Sequence, residues 1–546
     1  MRETTRRDGW SPLSLAALAG VWIASVANWP LWRALLALPE GSGARGALFV
    51  VGFAAMIAAL TTALLALLAW RPIIKWAIAL FLVSAAAGAH FMGTYGIVID
   101  PTMMTNVLQT NLQETRDLLG GRLVASLLAI AVVPLVWLWR QPVQRRSLPA
   151  QLWRNAVAVL AALAVLAALL FALFADLSAA MRNHKSLRYM INPLNSFYAV
   201  GMQVRQANAL PKGPPQVIGA DATLQPRAAG SKPPLLMLVI GETARADHFA
   251  LNGYERPTNP ALTAAGVVSF RNVTSCGTNT AASLPCMFSA LGRSGYEARD
   301  HDQENLLDLA QRAGLAVLWL DNQAGCKGVC ERVPNAQASV GAPAALCADG
   351  DCLDEALLVG LDARLAALDP ARRARGVLLV LHQMGSHGPA YWKRSPPQAK
   401  PFQPECATNV LAQCDRTSLL NAYDNSIAYT DRTLGQAIEW LQRQQAGYDP
   451  ALLYVSDHGE SLGENGIYLH GLPYAVAPRE QTHVPMVVWL AAQAQQSSGV
   501  RMDCLAGQRD QALSHDHLFH SIATWLGIRS TVIQPSFDAF AACRKP

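Results

Sequence analysis

Asp457 and His458 stand side by side directly behind the apolar run Ala451–Ser456, and Gly459 follows them. A short apolar run closed by a turn signal reads as a buried strand, with the glycine marking a turn past its carboxyl end. Open α/β sheets place their ligand sites at the carboxyl ends of strands. A hard carboxylate oxygen beside an imidazole nitrogen suits Zn²⁺. A strand-end Asp caps the next helix at least as often as it binds metal, so the pair needs partners from elsewhere in the chain.

Groups of the right type recur behind other apolar runs. Leu235–Ile240 leads into Gly241-Glu242-Thr243-Ala244-Arg245, which puts Glu242 just past a strand. Alone, Glu242 could favour a helix dipole; as a second carboxylate at the same sheet edge it is a candidate metal ligand. Between Ser275 and Cys286, small and polar residues precede a helix start. Thr280 there could be a helix cap, or a nucleophile beside backbone N–H groups that bind phosphate. A threonine hydroxyl needs a base or a metal to react at neutral pH. Zinc bound by Glu242, Asp457 and His458 could lower its pKa and offset charge on phosphoryl oxygens.

His387, in Gly385-Ser386-His387-Gly388-Pro389, and His470, in Tyr468-Leu469-His470-Gly471, sit in glycine-flanked loops where packing seldom requires histidine. They could donate a proton to a leaving oxygen, contact phosphate, ligate a second metal, or lie on the surface. Lys327, between Cys326 and Cys330, could bind phosphate, although most lysines are merely solvated. His382, His483, His515, His517 and His520 belong to no motif and read as structural or surface residues.

These groups need a sheet to hold them. Leu235–Ile240, Ala316–Leu320, Gly376–Leu381, Ala451–Ser456 and Val484–Leu490 are apolar runs separated by helix-length segments. That alternation predicts a doubly wound, mostly parallel α/β sheet with helices on both faces.

The remainder of the chain has a different character. Its 546 residues are too many for one core, and 52% hydrophobic against 15% charged content points to a membrane portion. Apolar stretches near 11–32, 46–69, 74–95, 121–139 and 153–175 each reach the roughly 20 residues that span a bilayer. Residues 1–209 carry 17 Lys+Arg against 7 Asp+Glu, and residues 210–546 carry 27 against 31. The basic excess thus belongs to the apolar half, and no nucleic-acid partner is implied. Arg2, Arg6 and Arg7, Arg71 and Lys75, and Arg140, Arg145, Arg146 and Arg154 alternate with poorer loops, which puts the N-terminus in the cytoplasm and the C-terminal domain outside. Arg182, Lys185 and Arg188 follow the last span on the outer side, against the simple rule, which long translocated domains override.

The expected division is a transmembrane domain 1–176, an amphipathic connector and linker 177–234, and a catalytic domain 235–546. Tyr189, Met190, Ile191, Phe197 and Tyr198 in the connector are available to the membrane surface. Asn106, Thr110 and Glu114, in the outside-facing segment 96–120, share one helix face at i, i+4, i+8, as a functional or a solvated face would.

All 10 cysteines lie at or after Cys276, which suggests disulfides and an oxidising compartment. Cys276 with Cys286, Cys326 with Cys330, Cys347 with Cys352 and Cys406 with Cys414 are close in sequence, leaving Cys504 and Cys543. Ten cysteines allow on the order of a thousand connectivities, so the pairing is a hypothesis.

Taken together, Gly-Glu-Thr-Ala-Arg at 241–245, Thr280 after Asn279, Gly-Ser-His-Gly-Pro at 385–389 and Asp-His-Gly-Glu-Ser-Leu-Gly-Glu-Asn-Gly-Ile-Tyr-Leu-His-Gly at 457–471 resemble the phosphoethanolamine transferases that modify lipid A, the group that includes the polymyxin (colistin) resistance enzymes. The resemblance covers nearly the whole chain. It implies five spans joined to an alkaline-phosphatase-like periplasmic domain, in a multi-pass protein of the bacterial inner membrane. It implies one zinc site made by Glu242, Thr280, Asp457 and His458, with Thr280 as nucleophile and a second metal left open. His387, His470 and Lys327 match positions near the transferred phosphoryl group. Asn106, Thr110 and Glu114 match positions that contact the phosphoethanolamine head group or form its cleft. The cysteine pairs are similar to the family's disulfides.

The implied reaction takes phosphoethanolamine from phosphatidylethanolamine to Thr280 and on to a lipid A phosphate, by a monomer whose substrates are membrane lipids. The added ethanolamine would lower envelope negative charge and favour polymyxin resistance. Kdo, core heptose or a periplasmic glucan is the alternative acceptor, and a glycerol-phosphate-type transferase the alternative enzyme. A sulfatase would need a Cys or Ser nucleophile in a Cys/Ser-x-Pro-x-Arg context, which Thr280-Ala281-Ala282 lacks.

Overall fold

The computed structural model describes residues 9–38, 41–110, 115–116, 118–209, 213–227, 230–348 and 351–544. The chain forms two compact units. One comprises Met1–Met104 and Leu119–Val204, the other Thr105–Leu118 and Arg205–Pro546.

In the first unit, Gly43–Leu67, Ile74–Tyr95, Gly121–Arg140 and Leu148–Ala172 are each long and apolar enough to cross a bilayer. The first expected span is a bent pair instead, Pro12–Ala27 and Trp29–Leu36 meeting at 49°, which makes five spans if the pair counts as one. Pro30 lacks the N–H that would continue the helix. At the break, the buried Asn28 amide donates to the carbonyls of Ile23 (2.9 Å) and Asn192 (2.7 Å). Two apolar clusters tie the helices together, one around Ile23, Ile78 and Leu82, the other around Leu31, Phe49 and Phe53. Helix Leu148–Ala172 leaves Leu160 and Phe171 largely exposed, as a lipid-facing helix does. Phe197 departs from the expected membrane-surface group: it turns inward onto Phe81, ring centroids 4.7 Å apart.

The second unit is built on an eight-stranded mixed sheet. Its strands are β1 (Pro234–Gly241), β2 (Val268–Thr274), β3 (Ala316–Asp321), β4 (Asn335–Gln337), β5 (Val377–His382), β6 (Asp449–Ser456), β7 (His483–Leu490) and β8 (Leu513–Ser514). The order is β8-β2-β7-β6-β1-β5-β3-β4. All five expected strands are present. β7 runs antiparallel to both its neighbours, and the other pairs are parallel. The central strands β1, β5 and β6 are buried almost throughout because both faces are covered, which is why they read as continuous apolar runs.

Helices flank the sheet, the longest being Arg416–Arg443, capped by the Asp415 carboxylate accepting from the Ser418 N–H (2.9 Å). Five disulfides pair the ten cysteines as 276–286, 326–330, 347–352, 406–414 and 504–543.

Leu453 lies at the centre of this sheet, fully buried on β6 between Leu238 of β1 and Val488 of β7. Leu453→Ala should cost about 2–5 kcal/mol of stability, measured by chemical denaturation of the full-length protein. A loss below about 1 kcal/mol would place this core elsewhere.

Candidate active site

Sheet register brings the chemistry together. Gly241 of β1 pairs with Ser456 of β6, and Ile240 of β1 with His382 of β5. The residues that follow these strand ends therefore emerge side by side. Glu242 leaves β1 next to Asp457 and His458 leaving β6. Thr243 takes a φ of +52°, uncommon for a β-branched residue and a mark of local strain. Its carbonyl accepts from the Tyr423 hydroxyl (2.7 Å), which pins that turn. Gly385 presses on the same turn from the β5 side: a Cβ there would meet the Glu242 carbonyl oxygen at 2.7 Å. Only glycine combines that approach with Gly385's own φ of +52°.

Glu242, Asp457 and His458 are fully buried, and one ligand atom from each lies within 4.8 Å of the others. His458 Nε2 is 3.1 Å from Glu242 Oε1 and 3.4 Å from Asp457 Oδ2. None of these three atoms makes a well-formed hydrogen bond among the described residues. His458 Nδ1 lies 2.9 Å from the Gly459 carbonyl oxygen, so Nδ1 carries a proton and Nε2 is the ring nitrogen that faces the two carboxylates.

Buried negative charge of this density needs a positive counterpart. The titration of the three groups shows the same demand. Burial opposes charge on His458, but Asp457 and Glu242 outweigh it and push the pKa to about 10. Burial and then the Glu242 charge push Asp457 up to about 7. For Glu242, burial is outweighed by His458, His387 and His470, which hold it below the usual carboxylate range. Two oxygens and an imidazole nitrogen, converging without other partners, fit a divalent metal ion that would displace those protons.

Thr280 joins the group through the other Glu242 oxygen. Its hydroxyl donates to Oε2 at 2.9 Å, and the Gln323 amide donates to the same atom at 2.8 Å. Thr280 opens helix Thr280–Met287, whose cap is Asn279, with its side chain accepting from the Ala282 N–H (3.0 Å). A nearly buried hydroxyl thus sits against a carboxylate at a helix N-terminus, an arrangement suited to nucleophilic attack on an anionic centre.

The histidines lie beside this cluster. The His470 ring packs tilted against His458 with centroids 4.4 Å apart, and the His387 ring centroid is 5.4 Å from that of His470. His470 Nδ1 is 2.7 Å from Glu460 Oε2, and the other Glu460 oxygen accepts from the Tyr391 hydroxyl. Burial, opposed by Glu242, pushes the His387 pKa down, and the neighbouring His470 and Arg394 push the same way.

The remaining candidates are placed differently. Lys327 Nζ donates to the carbonyls of Ala324 (3.2 Å) and Gln109 (3.3 Å). Asn106 and Thr110 lie in and just past helix Pro101–Gln109, where the Thr110 hydroxyl donates to the Asn106 carbonyl (2.8 Å). Among the described residues, Lys327, Asn106 and Thr110 form no hydrogen bond to Glu242, Thr280, Asp457 or His458. Glu114 lies outside the described residues.

Several supporting residues escaped sequence reasoning. Asp354 is buried and accepts from the Met384 and Gly385 N–H groups (2.8 and 2.9 Å) and the Asn322 amide (2.8 Å). It thereby sets the loop that carries His387. Arg394 bonds the His387 carbonyl (2.8 Å) from the other side. Arg245 reaches Asp247, Glu464 and the Glu460 carbonyl, joining the turn after β1 to the loop after β6. Glu460 and Glu464 lie inside the 457–471 motif, which was the available signal for them; Asp354 and Gln323 carry none. His382, read from sequence as structural or surface, is fully buried with Nδ1 3.3 Å from Asp321 Oδ2.

Comparison with known proteins identifies the family. Residues 234–528 match the family described as Sulfatase, and residues 57–207 match that described as Phosphoethanolamine transferase EptA/EptB. Phosphoethanolamine transferase EptA of Salmonella typhimurium is 41% identical over 472 residues, 85% of each chain. Phosphatidylethanolamine transferase Mcr-1 of Escherichia coli is 40% identical over 496 residues, 88% of this chain and 90% of that one. The integral membrane protein lipooligosaccharide phosphoethanolamine transferase A (EptA) of Neisseria meningitidis superposes with a TM-score of 0.92 at 34% identity, covering 98% of this chain and 99% of that one. The chain, from its membrane helices through its Sulfatase-type sheet, therefore belongs to the phosphoethanolamine transferase family.

Proposed function

We propose that this protein transfers phosphoethanolamine from phosphatidylethanolamine to a phosphate of lipid A, through a covalent intermediate on Thr280. The observation that carries the reading is the Thr280 hydroxyl, 2.9 Å from a Glu242 carboxylate whose other oxygen faces Asp457 and His458 unpartnered. The metal that would fit is zinc, in one site that Glu242, Thr280, Asp457 and His458 would hold. When bound, it supplies Lewis acidity to the hydroxyl and to phosphoryl oxygens.

The residues divide the work. Thr280 Oγ1 forms the new bond to phosphorus, and its proton moves toward Glu242 Oε2, which already accepts it. The bond to diacylglycerol breaks, and the leaving oxygen takes a proton from His470, held in orientation by Glu460 and Tyr391. His387 and Lys327 receive the phosphoryl oxygens, and Asn106, Thr110 and Glu114 the ethanolamine head group. A lipid A phosphate oxygen then attacks phosphorus and the bond to Thr280 Oγ1 breaks; Thr280 recovers its proton from Glu242, and the proton the acceptor phosphate gives up returns to His470. Covalent catalysis splits one hard displacement into two easier ones.

The functional division we propose is a membrane domain over residues 1–176, a connector over 177–234 and a periplasmic catalytic domain over 235–546, in a monomer of the bacterial inner membrane. Both substrates are then reached from the membrane surface. The product carries less net negative charge, which weakens attraction of cationic peptides such as polymyxin.

Incubation with phosphatidylethanolamine and no acceptor should add a phosphoethanolamine mass to the peptide containing Thr280. Thr280→Ala should abolish both that adduct and transfer, by at least about a thousandfold. Full transfer by Thr280→Ala would sink the mechanism. In cells, mass spectrometry should show phosphoethanolamine on lipid A only when the protein is present. Unmodified lipid A beside altered core sugars would move the acceptor to the core.

A further inference from the structure

The membrane unit carries a cationic surface that the proposed reaction has not yet used. Between Asp176 and Asp221 the sequence holds five Lys+Arg residues and no Asp or Glu. Three of them, Arg182, Lys185 and Arg188, are exposed just beyond the last membrane-spanning helix, Leu148–Ala172. Arg182 is in the last turn of helix Phe174–Asn183, and Lys185 and Arg188 lie on the 3₁₀ helix Lys185–Met190. Residues three apart on a 3₁₀ helix eclipse, so Lys185 and Arg188 point the same way.

None of the three has an acidic partner among the described residues. The nearest acid in sequence, Asp176, is taken by Arg45 at 2.9 Å. The cations are presented by a packed support. Ala180 and Leu187, at 0% and 2% exposure, sit in the cluster around Leu31, Phe49 and Phe53. The Arg188 guanidinium lies 5.6 Å from the Tyr189 ring centroid, an amphipathic pairing typical of the head-group layer. Shortly before the cations in sequence, Phe171 and Phe174 are 89% and 68% exposed.

Three exposed cations without acidic partners among the described residues, close in sequence to bare aromatic side chains, match a lipid that has both an acyl body and a phosphate head. A soluble anion would use the cations and leave the aromatics wet. We propose that Arg182, Lys185 and Arg188 form a docking surface for the phosphate head group of the anionic acceptor lipid. This rests on the acceptor and orientation proposed above. It also separates the two substrates by charge. The donor, phosphatidylethanolamine, is zwitterionic and gains little from a cationic surface, whereas an acceptor bearing phosphate monoesters gains from each cation.

The test uses the full-length protein in mixed micelles with lipid A as the probe, comparing wild type with a triple variant, Arg182→Gln, Lys185→Gln and Arg188→Gln. Two quantities are read: retention of labelled lipid A, and the Thr280 adduct formed from donor alone. The triple variant should weaken lipid A retention about tenfold or more at low salt, with the difference shrinking in high salt, while adduct formation stays at the wild-type level. The charge-conserving variant Arg182→Lys, Lys185→Arg, Arg188→Lys should retain lipid A like wild type, which separates charge from packing. Equal retention by wild type and the glutamine variant at low salt would overturn the docking surface, as would loss of retention in the charge-conserving variant. Absence of the adduct in wild type would count against the reaction alone, since retention is read without turnover.

Discussion

Two carboxylates and an imidazole lone pair converge at the ends of neighbouring strands, fully out of water, and the rest of the catalytic unit is organised around that convergence. Two like charges roughly 4 Å apart repel by about 4 kcal/mol even at an effective dielectric of about 20. That is a large fraction of the roughly 5–15 kcal/mol that holds a domain folded. The site can exist only if positive charge enters it, as protons or as a metal ion. Protons would occupy the very atoms that make it reactive. A divalent ion neutralises the charge and leaves the Thr280 hydroxyl its carboxylate acceptor.

The surroundings hold this unfavourable arrangement in place. Gln323 and Thr280 fix one Glu242 oxygen and leave the other free to ligate. The Ser283 hydroxyl donates to the Asp457 carbonyl at 2.5 Å, locking the end of β6. Arg245 ties the two ligand-bearing turns to one another, and Asp354 and Arg394 hold the His387 loop against them. The Cys347–Cys352 disulfide joins two paired strand segments just before Asp354.

How much of this was legible follows from where the information lies along the chain. Glu242, Asp457 and His458 follow their strands directly, and the strands are continuous apolar runs because both faces are buried. Periodicity and adjacency therefore found both. β2 was missed because Ser269, Arg271 and Asn272 interrupt its apolar pattern, and β4 and β8 because two or three residues carry no period. Gln323 acts on a residue 81 positions away, and Asp354 on one 30 positions away. Their roles exist only once the sheet has brought them there. In the membrane unit, hydropathy located the first span but not its bend, which depends on Pro30 and on the inward bonds of Asn28.

The proposed chemistry depends on the ion. Diffraction from crystals of the full-length protein, recorded on both sides of the zinc absorption edge, tests it most directly. The prediction is a single strong anomalous peak within about 2.0–2.2 Å of Glu242, Asp457 and His458 ligand atoms, with Thr280 beside it. A protein that transfers phosphoethanolamine while showing no anomalous peak at these residues would contradict it.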